Sequence, residues 1–102
     1  RILYLRFGAN TSTVKNTIIA GTTAIYSNQN GTGTPTTPPT FASNNYFNAS
    51  LLYTVGAAAI TVDKSATYTT LDPQFTSAAT GNFTVKNQTL IDNKIGDPRW
   101  RP

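Results

Sequence analysis

Alternation of apolar and polar positions with a period of two recurs along this chain and predicts short β-strands. The opening segment 3–7 alternates in this way. In 13–19, Val14, Asn16 and Ile18 share one face of an extended chain, while threonine and lysine occupy the other face. Asn16 is therefore predicted to be a polar residue that points into the core.

The tetrapeptide Thr-Val-Lys-Asn at 13–16 recurs at 84–87, and a looser copy lies within 41–47. Each copy carries an asparagine on the same predicted inner face. An asparagine buried without hydrogen-bond partners is costly, whereas asparagines on neighbouring strands can stack and bond to one another. We therefore predict a structural ladder across three strands. Its members are Asn16, Asn45 and Asn87.

The spacing of these copies indicates a stacked, repeating architecture. The first and last tetrapeptides are separated by three steps of about 24 residues, a period typical of solenoids. The Asp-Pro pairs at 72–73 and 97–98 are about one such step apart. Since proline fixes φ and aspartate bonds to nearby backbone N–H groups, each pair predicts a turn. The sequence therefore predicts an all-β solenoid.

Helix signals are weak, because the chain has no glutamate and is rich in β-branched threonine. Residues 28–40 form a polar stretch rich in glycine, threonine and proline that interrupts the repeat. Its length is near the upper end of ordinary loop lengths. We predict that 28–40 is a loop that protrudes from the side of a coil.

The composition removes most catalytic chemistry. The chain contains no histidine and no cysteine, which excludes Ser-His-Asp and Cys-His nucleophiles, zinc fingers, haem ligation and disulfides. The four acidic residues are all aspartates, and no two are adjacent in sequence. Asp63, beside Lys64, is interpreted as one half of a solvated pair, and Asp92 stands alone. We therefore predict no catalytic residue, no metal site and no cofactor.

The net charge of +4 raises the question of nucleic-acid binding. The lysines are scattered singly, and only Arg99-Trp100-Arg101 combines basic and aromatic residues. Nucleic-acid binders concentrate such charge along one face, so no nucleic acid is expected as a partner. No apolar run approaches the ~18 residues of a membrane span, so a direct span is not expected either.

The segment 71–87 and the ending Gly96-Asp97-Pro98-Arg99-Trp100 resemble the closing part of right-handed parallel β-helix proteins of the pectin-lyase-like superfamily. The resemblance is to surface proteins of bacterial polysaccharide-utilisation systems that end in GDPRW. It implies a single domain over 1–102, made of the last three to four coils of a longer right-handed parallel β-helix. It also implies an extracellular or outer-membrane location. The implied C-terminal cap consists of Asp97, Pro98 and Trp100.

A solenoid coil contacts only its neighbours, so a chain that starts inside one has an uncovered strand edge. The chain begins with Arg1 rather than methionine, and we interpret it as a piece of a longer protein. We expect Leu3, Leu5 and Phe7 to pair with preceding coils of the same protein or with another copy.

Glycan binding needs flat aromatic faces and amide or hydroxyl groups rather than titratable side chains. If Asn45 and Phe47 point inward, Tyr46 and Asn44 point outward. The candidate glycan-binding residues are Tyr46, Asn44 and Tyr26.

The leading hypothesis is a non-catalytic β-helix segment of a carbohydrate-associated protein that binds a polysaccharide or oligosaccharide or has a structural role. One alternative is the end of a polysaccharide lyase or hydrolase whose catalytic coils lie elsewhere. Another is a virion or fibre protein, which shares the low charge but is not expected to end in GDPRW.

Overall fold

The structure, a computed structural model, is built mainly of short strands with few helical residues. It describes residues 3–5, 11–21, 26–28, 39–49, 52–55, 58–61 and 63–102, and only the backbone at 3–5, 26–28, 52–55 and 58–60. The strands are β1 (Leu3–Leu5), β2 (Thr13–Lys15), β3 (Ile18–Ala20), β4 (Tyr26–Asn28), β5 (Thr40–Ala42), β6 (Asn45–Phe47), β7 (Leu52–Val55) and β8 (Ala58–Thr61). Helix α1 spans Gln88–Asp92, and 3-10 turns span Ala78–Thr80 and Pro98–Trp100.

Most of the strands pair in parallel, each with a strand that lies about 23 to 27 residues away in sequence. β1 pairs with β4, β2 with β5 and β3 with β6, whereas β7 and β8 form an antiparallel hairpin. Beyond β6, Thr69 makes a parallel bridge to Asn45. We call residues 13–20, 40–47 and 63–71 the first, second and third passes. The predicted strand segments in the first two passes thus lie side by side in the same direction.

A left-handed residue bends each of the first two passes between its strands. Asn16 has φ 51° and Ser43 has φ 53°. Such a residue interrupts the alternation of side chains, so the faces predicted before the bend do not continue after it. Ile19 pairs with Tyr46, and both side chains are buried. The prediction that Tyr46 points outward is therefore wrong.

The predicted asparagine ladder is also wrong. Asn16 is exposed, and it is Ile18 that lies opposite Asn45 in the register. Asn87 lies at the N-cap of α1, where its Oδ1 accepts hydrogen bonds from the backbone N–H groups of Thr89 and Leu90 at 3.1 and 3.4 Å. Asparagine is well suited to both left-handed backbone and helix capping, and these local roles replace stacking.

Two adjacent asparagines of the second pass instead bind the passes on either side. Asn44 donates from Nδ2 to the Val14 carbonyl at 2.9 Å and accepts from the Thr17 N–H at 3.0 Å. Asn45 donates to the Leu71 carbonyl and accepts from the Leu71 N–H, both at 2.8 Å. Both side chains are fully buried. They supply hydrogen bonds where the bends interrupt the backbone ladder.

A buried carboxylate begins the third pass. Asp63 is completely buried and accepts from the Tyr46 hydroxyl at 2.7 Å. The backbone N–H and the hydroxyl of Ser65 donate to its other oxygen at 2.9 and 2.6 Å. Asp63 is buried whereas Lys64 is exposed, so the interpretation of Asp63 and Lys64 as a solvated pair is wrong. The carboxylate is solvated by protein hydroxyl and amide groups instead.

The chain after the third pass folds into turns and one short helix around an apolar cluster. Val85, Leu90 and Ile95 are buried at its centre. The strand predicted over 84–87 is wrong, because these residues form no strand and Asn87 is the N-cap of α1. Partly buried side chains that pack against the cluster are Ile18, Leu71, Phe75 and Ile91.

Some predictions fall on parts of the chain that the structure leaves undescribed. In the predicted loop 28–40, Asn28 and Thr40 are strand residues, and 29–38 lie outside the described residues. The side chains of β1 and all of Phe7 also lie outside them. Within the described residues, no helix has the length and apolar character needed to cross a membrane.

Candidate binding groove

The C-terminal turn, the 3-10 turn Pro98–Trp100, is stabilised by Asp97 and Pro98. The Asp97 carboxylate accepts from the Arg99 N–H at 2.9 Å, and Pro98 occupies the first position of the 3-10 turn. The Trp100 N–H donates to the Asp97 carbonyl at 2.9 Å. The Asp72-Pro73 turn uses the same chemistry, with the Gln74 N–H donating to Asp72 at 2.8 Å. Both Asp-Pro pairs thus form the turns that the sequence predicts. That Asp97, Pro98 and Trp100 close the end of a solenoid stays a prediction.

Backbone hydrogen bonds attach this turn to the first pass and to the apolar cluster. The Gly96 N–H donates to the Asn16 carbonyl, and the Val85 N–H donates to the Trp100 carbonyl, both at 2.8 Å. Gly96 has φ 101°, and a Cβ at this position would lie 2.9 Å from Cδ1 of Ile18. Glycine therefore permits both the left-handed turn and its close approach to β3.

Three aromatic rings pack edge to face beside the turn. The ring centroids of Phe75 and Phe83 are 5.6 Å apart, and those of Phe83 and Trp100 are 6.1 Å apart. A tight antiparallel turn, with Ser77 bridged to Asn82, brings the two phenylalanines together. Phe83 remains 43% exposed. The cluster therefore presents an aromatic surface to solvent.

An open groove of about 870 Å³ runs between the start of β3 and this aromatic cluster. Its lining is mainly apolar. Polar groups lie at the bend of the first pass, and charged groups lie on or beside the C-terminal turn. The apolar side chains include Ile18, Phe75, Phe83 and Trp100, and the polar and charged ones are Asn16, Thr17, Lys94, Asp97 and Arg101.

The charges around the groove are unevenly paired. Asp97 forms an ion pair with Arg99, with Nη2 at 2.6 Å from the carboxylate. Hydrogen bonds from Arg99 lower the pKa of Asp97 to about 2, and the same contact raises the pKa of Arg99. Arg101 donates from Nε to the Gly96 carbonyl at 2.8 Å. Lys94 and Arg101 form no ion pair within the described residues.

The residues predicted to bind glycan are not in this groove. Tyr46 is 2% exposed and Asn44 is fully buried, so neither can present a surface to a ligand. The bend at Ser43 turns both inward. Tyr46 packs edge to face against Tyr68 at 6.2 Å. The backbone of Tyr26 lies in β4, and its side chain lies outside the described residues.

Sequence reasoning missed Phe83, Lys94 and Arg101 as groove residues. The sequence feature nearest to them is the basic-aromatic cluster Arg99-Trp100-Arg101, which is considered as evidence for nucleic-acid binding and not for a groove. Among the described residues, no three acidic side chains come together as a possible metal site.

The chain belongs to the family described as a domain of unknown function (DUF5123), whose sequence model matches residues 1–100. No curated protein and no solved structure matches it. Family membership therefore extends over nearly the whole chain and assigns no activity to the groove.

Proposed function

We propose that this chain forms the last coils of a right-handed parallel β-helix in a secreted or cell-surface protein, and that it binds carbohydrate without catalysing a reaction. The observation that carries the proposal is the open groove beside Phe75, Phe83 and Trp100. The strand arrangement supports the fold, and the side chains of the groove support the ligand.

The β-helix is supported by the register of the parallel pairs. Paired residues in β1 and β4, in β2 and β5, and in β3 and β6 are about 23 to 27 residues apart, the length of one solenoid coil. The bridge from Asn45 to Thr69 continues the series. Connections between parallel strands are right-handed in nearly all proteins, which favours that hand here.

Carbohydrate is supported by the chemistry of the groove. Sugars present apolar ring faces and many hydroxyl groups, so they suit a site that combines aromatic surface with hydrogen-bonding side chains. Phe83 and Trp100 supply the aromatic surface, and Asn16 and Thr17 supply amide and hydroxyl groups. An open groove encloses little of its ligand, so we expect dissociation constants in the millimolar range.

A binding role is favoured over catalysis by the aspartates. Asp97, the carboxylate in the groove, is held by Arg99. Asp63 is buried and already accepts three hydrogen bonds. Glycoside hydrolysis uses a pair of carboxyl groups on either side of the scissile bond, and the described lining of the groove offers one.

Trp100 is the only tryptophan of the chain, so its fluorescence reports directly on the groove. Titration with neutral and acidic oligosaccharides should produce a saturable change in Trp100 emission with at least one of them. No change with any saccharide up to tens of millimolar, together with no shift of groove resonances by NMR, would contradict the proposed function.

Substitution of one exposed aromatic residue in the groove and one outside it tests the position of the site. Phe83→Ala removes part of the aromatic surface, and we expect it to weaken binding by about tenfold. Tyr68→Ala removes a similarly exposed ring, 40% against 43%, that does not line the groove. It should leave binding unchanged. Equal losses in the two folded variants would place the ligand elsewhere.

A further inference from the structure

Two cationic side chains flank the C-terminal turn at the groove. Lys94 and Arg101 both line it, and Asp97 is the acidic residue beside them. The carboxylate of Asp97 accepts bonds from the backbone N–H, Nε and Nη2 of Arg99. Arg99 therefore neutralises Asp97, and two positive charges remain at the groove.

Arg101 is held in a position to bind an anion. Its Nε donates to the Gly96 carbonyl at 2.8 Å, which fixes the guanidinium beside the turn. Its two Nη groups make no hydrogen bond to a described residue. A guanidinium presents its N–H groups as a planar fork that matches the two oxygens of a carboxylate or sulfate. The Arg101 side chain is half-buried, so part of its ordering has already occurred in the free protein.

Lys94 adds a second cation at a fixed point of the backbone. It follows α1 in a left-handed conformation, φ 56°, with its N–H bonded to the Ile91 carbonyl at 3.0 Å. The Lys94 side chain is exposed. A flexible ammonium at the edge of the groove can follow anions at slightly different positions.

We infer that the groove selects saccharides that carry an anionic group, a carboxylate or a sulfate, and that Arg101 and Lys94 bind that group. The inference rests on the proposed carbohydrate binding and names its ligand class. The sugar ring lies against the aromatic surface of Phe83 and Trp100, while its anionic substituent contacts the two cations.

Ligands that share one backbone test this selectivity through Trp100 fluorescence. Cellotetraose, its C6-oxidised uronate form and its sulfated form differ in charge and not in linkage. At about 0.15 M salt, we expect at least one anionic form to bind about five- to tenfold more tightly than cellotetraose. The two anionic arms show whether carboxylate or sulfate is preferred. Equal affinity for all three would overturn the inference and leave carbohydrate binding intact, whereas no binding by any glycan would remove both.

Charge-removing variants separate a specific site from general attraction. Lys94→Gln and Arg101→Gln should each lower the affinity for the anionic ligand by about fivefold, and this loss should exceed the loss of affinity for cellotetraose in the same variant. Arg101→Lys should restore part of the loss. Lys86→Gln removes the same charge from an exposed lysine outside the groove and should have no effect. An equal loss in Lys86→Gln would show that net charge, rather than these two residues, attracts the ligand.

Discussion

The interiors of the stacked passes and of the C-terminal segment, residues 72–102, are built from different side chains. The passes bury Ile19, Phe41 and Tyr46 together with fully buried polar groups. The C-terminal segment buries Val85, Leu90 and Ile95. Its polar groups form hydrogen bonds in turns and helix caps. The fully buried polar side chains of the passes are Asn44, Asn45 and Asp63.

This difference arises from how each region satisfies its backbone. In the C-terminal segment backbone groups bond to one another, through α1, tight turns and longer pairs such as Val85 to Trp100, so its interior can be entirely apolar. A bent pass must bond to the passes beside it, and at the bends the backbone ladder is interrupted. Buried amide side chains then complete the bonding, as Asn44 does toward Thr17 and Asn45 toward Leu71. Polar interiors of this kind specify one register, because a shift leaves buried groups without partners.

The largest expected effect is in the apolar cluster of the C-terminal segment. Leu90→Ala removes the fully buried side chain of α1 and should lower the free energy of unfolding by about 3 kcal/mol. Thr89→Ala changes the exposed neighbour on the same helix and should stay within about 0.5 kcal/mol. Urea unfolding measures both. A loss below about 1 kcal/mol for Leu90→Ala would mean that this cluster contributes little to stability.

The next effect tests the polar interior of the passes. Asn45→Ala leaves the N–H and carbonyl of Leu71 without partners and should cost about 2 kcal/mol. Asn93→Ala, at an exposed position, is the control and should be close to neutral. Hydrogen exchange sharpens the comparison: protection of the Leu71 amide should fall, while the Ile95 amide, bonded to the Leu90 carbonyl, keeps its protection. Equal loss at both amides would show that the two regions unfold as one.

One tetrapeptide occurs in both regions, and its two structures show what a short sequence pattern can and cannot predict. Thr-Val-Lys-Asn forms a strand at 13–15 and a non-strand segment before α1 at 84–87. The two copies differ in the residues that come after the asparagine. Asn16 is succeeded by Thr17 and β-branched isoleucines, whereas Asn87 precedes Gln-Thr-Leu, where its side chain caps a helix. Periodicity predicted the strands and the parallel pairing of the first two passes, and turn chemistry predicted the Asp-Pro turns.

The bends and the groove could not be predicted in this way. A left-handed residue at Asn16 or Ser43 leaves no mark on the hydrophobic pattern, yet the bend at Ser43 interrupts the alternation before Tyr46, which is buried. The groove depends on the bond between Gly96 and Asn16, which are far apart in sequence. Its residue types were visible, but the contact that brings them together is set by packing of the whole chain.

The smallest effect concerns the contact between the second and third passes, and it depends on pH. Burial and the hydrogen bond to Asp63 raise the pKa of Tyr46 well above the ordinary value of 10.0. The unfolded chain therefore ionises Tyr46 above about pH 10, while the folded chain keeps it neutral. The unfolded state then binds fewer protons, so the stabilisation present below pH 10 declines as pH rises, by up to about 1.4 kcal/mol per pH unit.

Tyr46→Phe tests this contact, since it removes the hydroxyl and keeps the ring. At pH 7 it should cost about 1 to 2 kcal/mol, because one oxygen of Asp63 loses its donor. Between about pH 10 and 11.5 its unfolding free energy should fall less steeply than that of the wild type. Tyr68→Phe changes the neighbouring exposed ring, leaves the contact between Tyr46 and Asp63 intact, and should keep the wild-type slope. Urea unfolding at intervals across this range measures the slopes. If Tyr46→Phe and the wild type have the same slope, the hydroxyl of Tyr46 ionises as readily in the folded chain as in the unfolded one. The polar interior of the passes would then lack the contact that joins Tyr46 to Asp63.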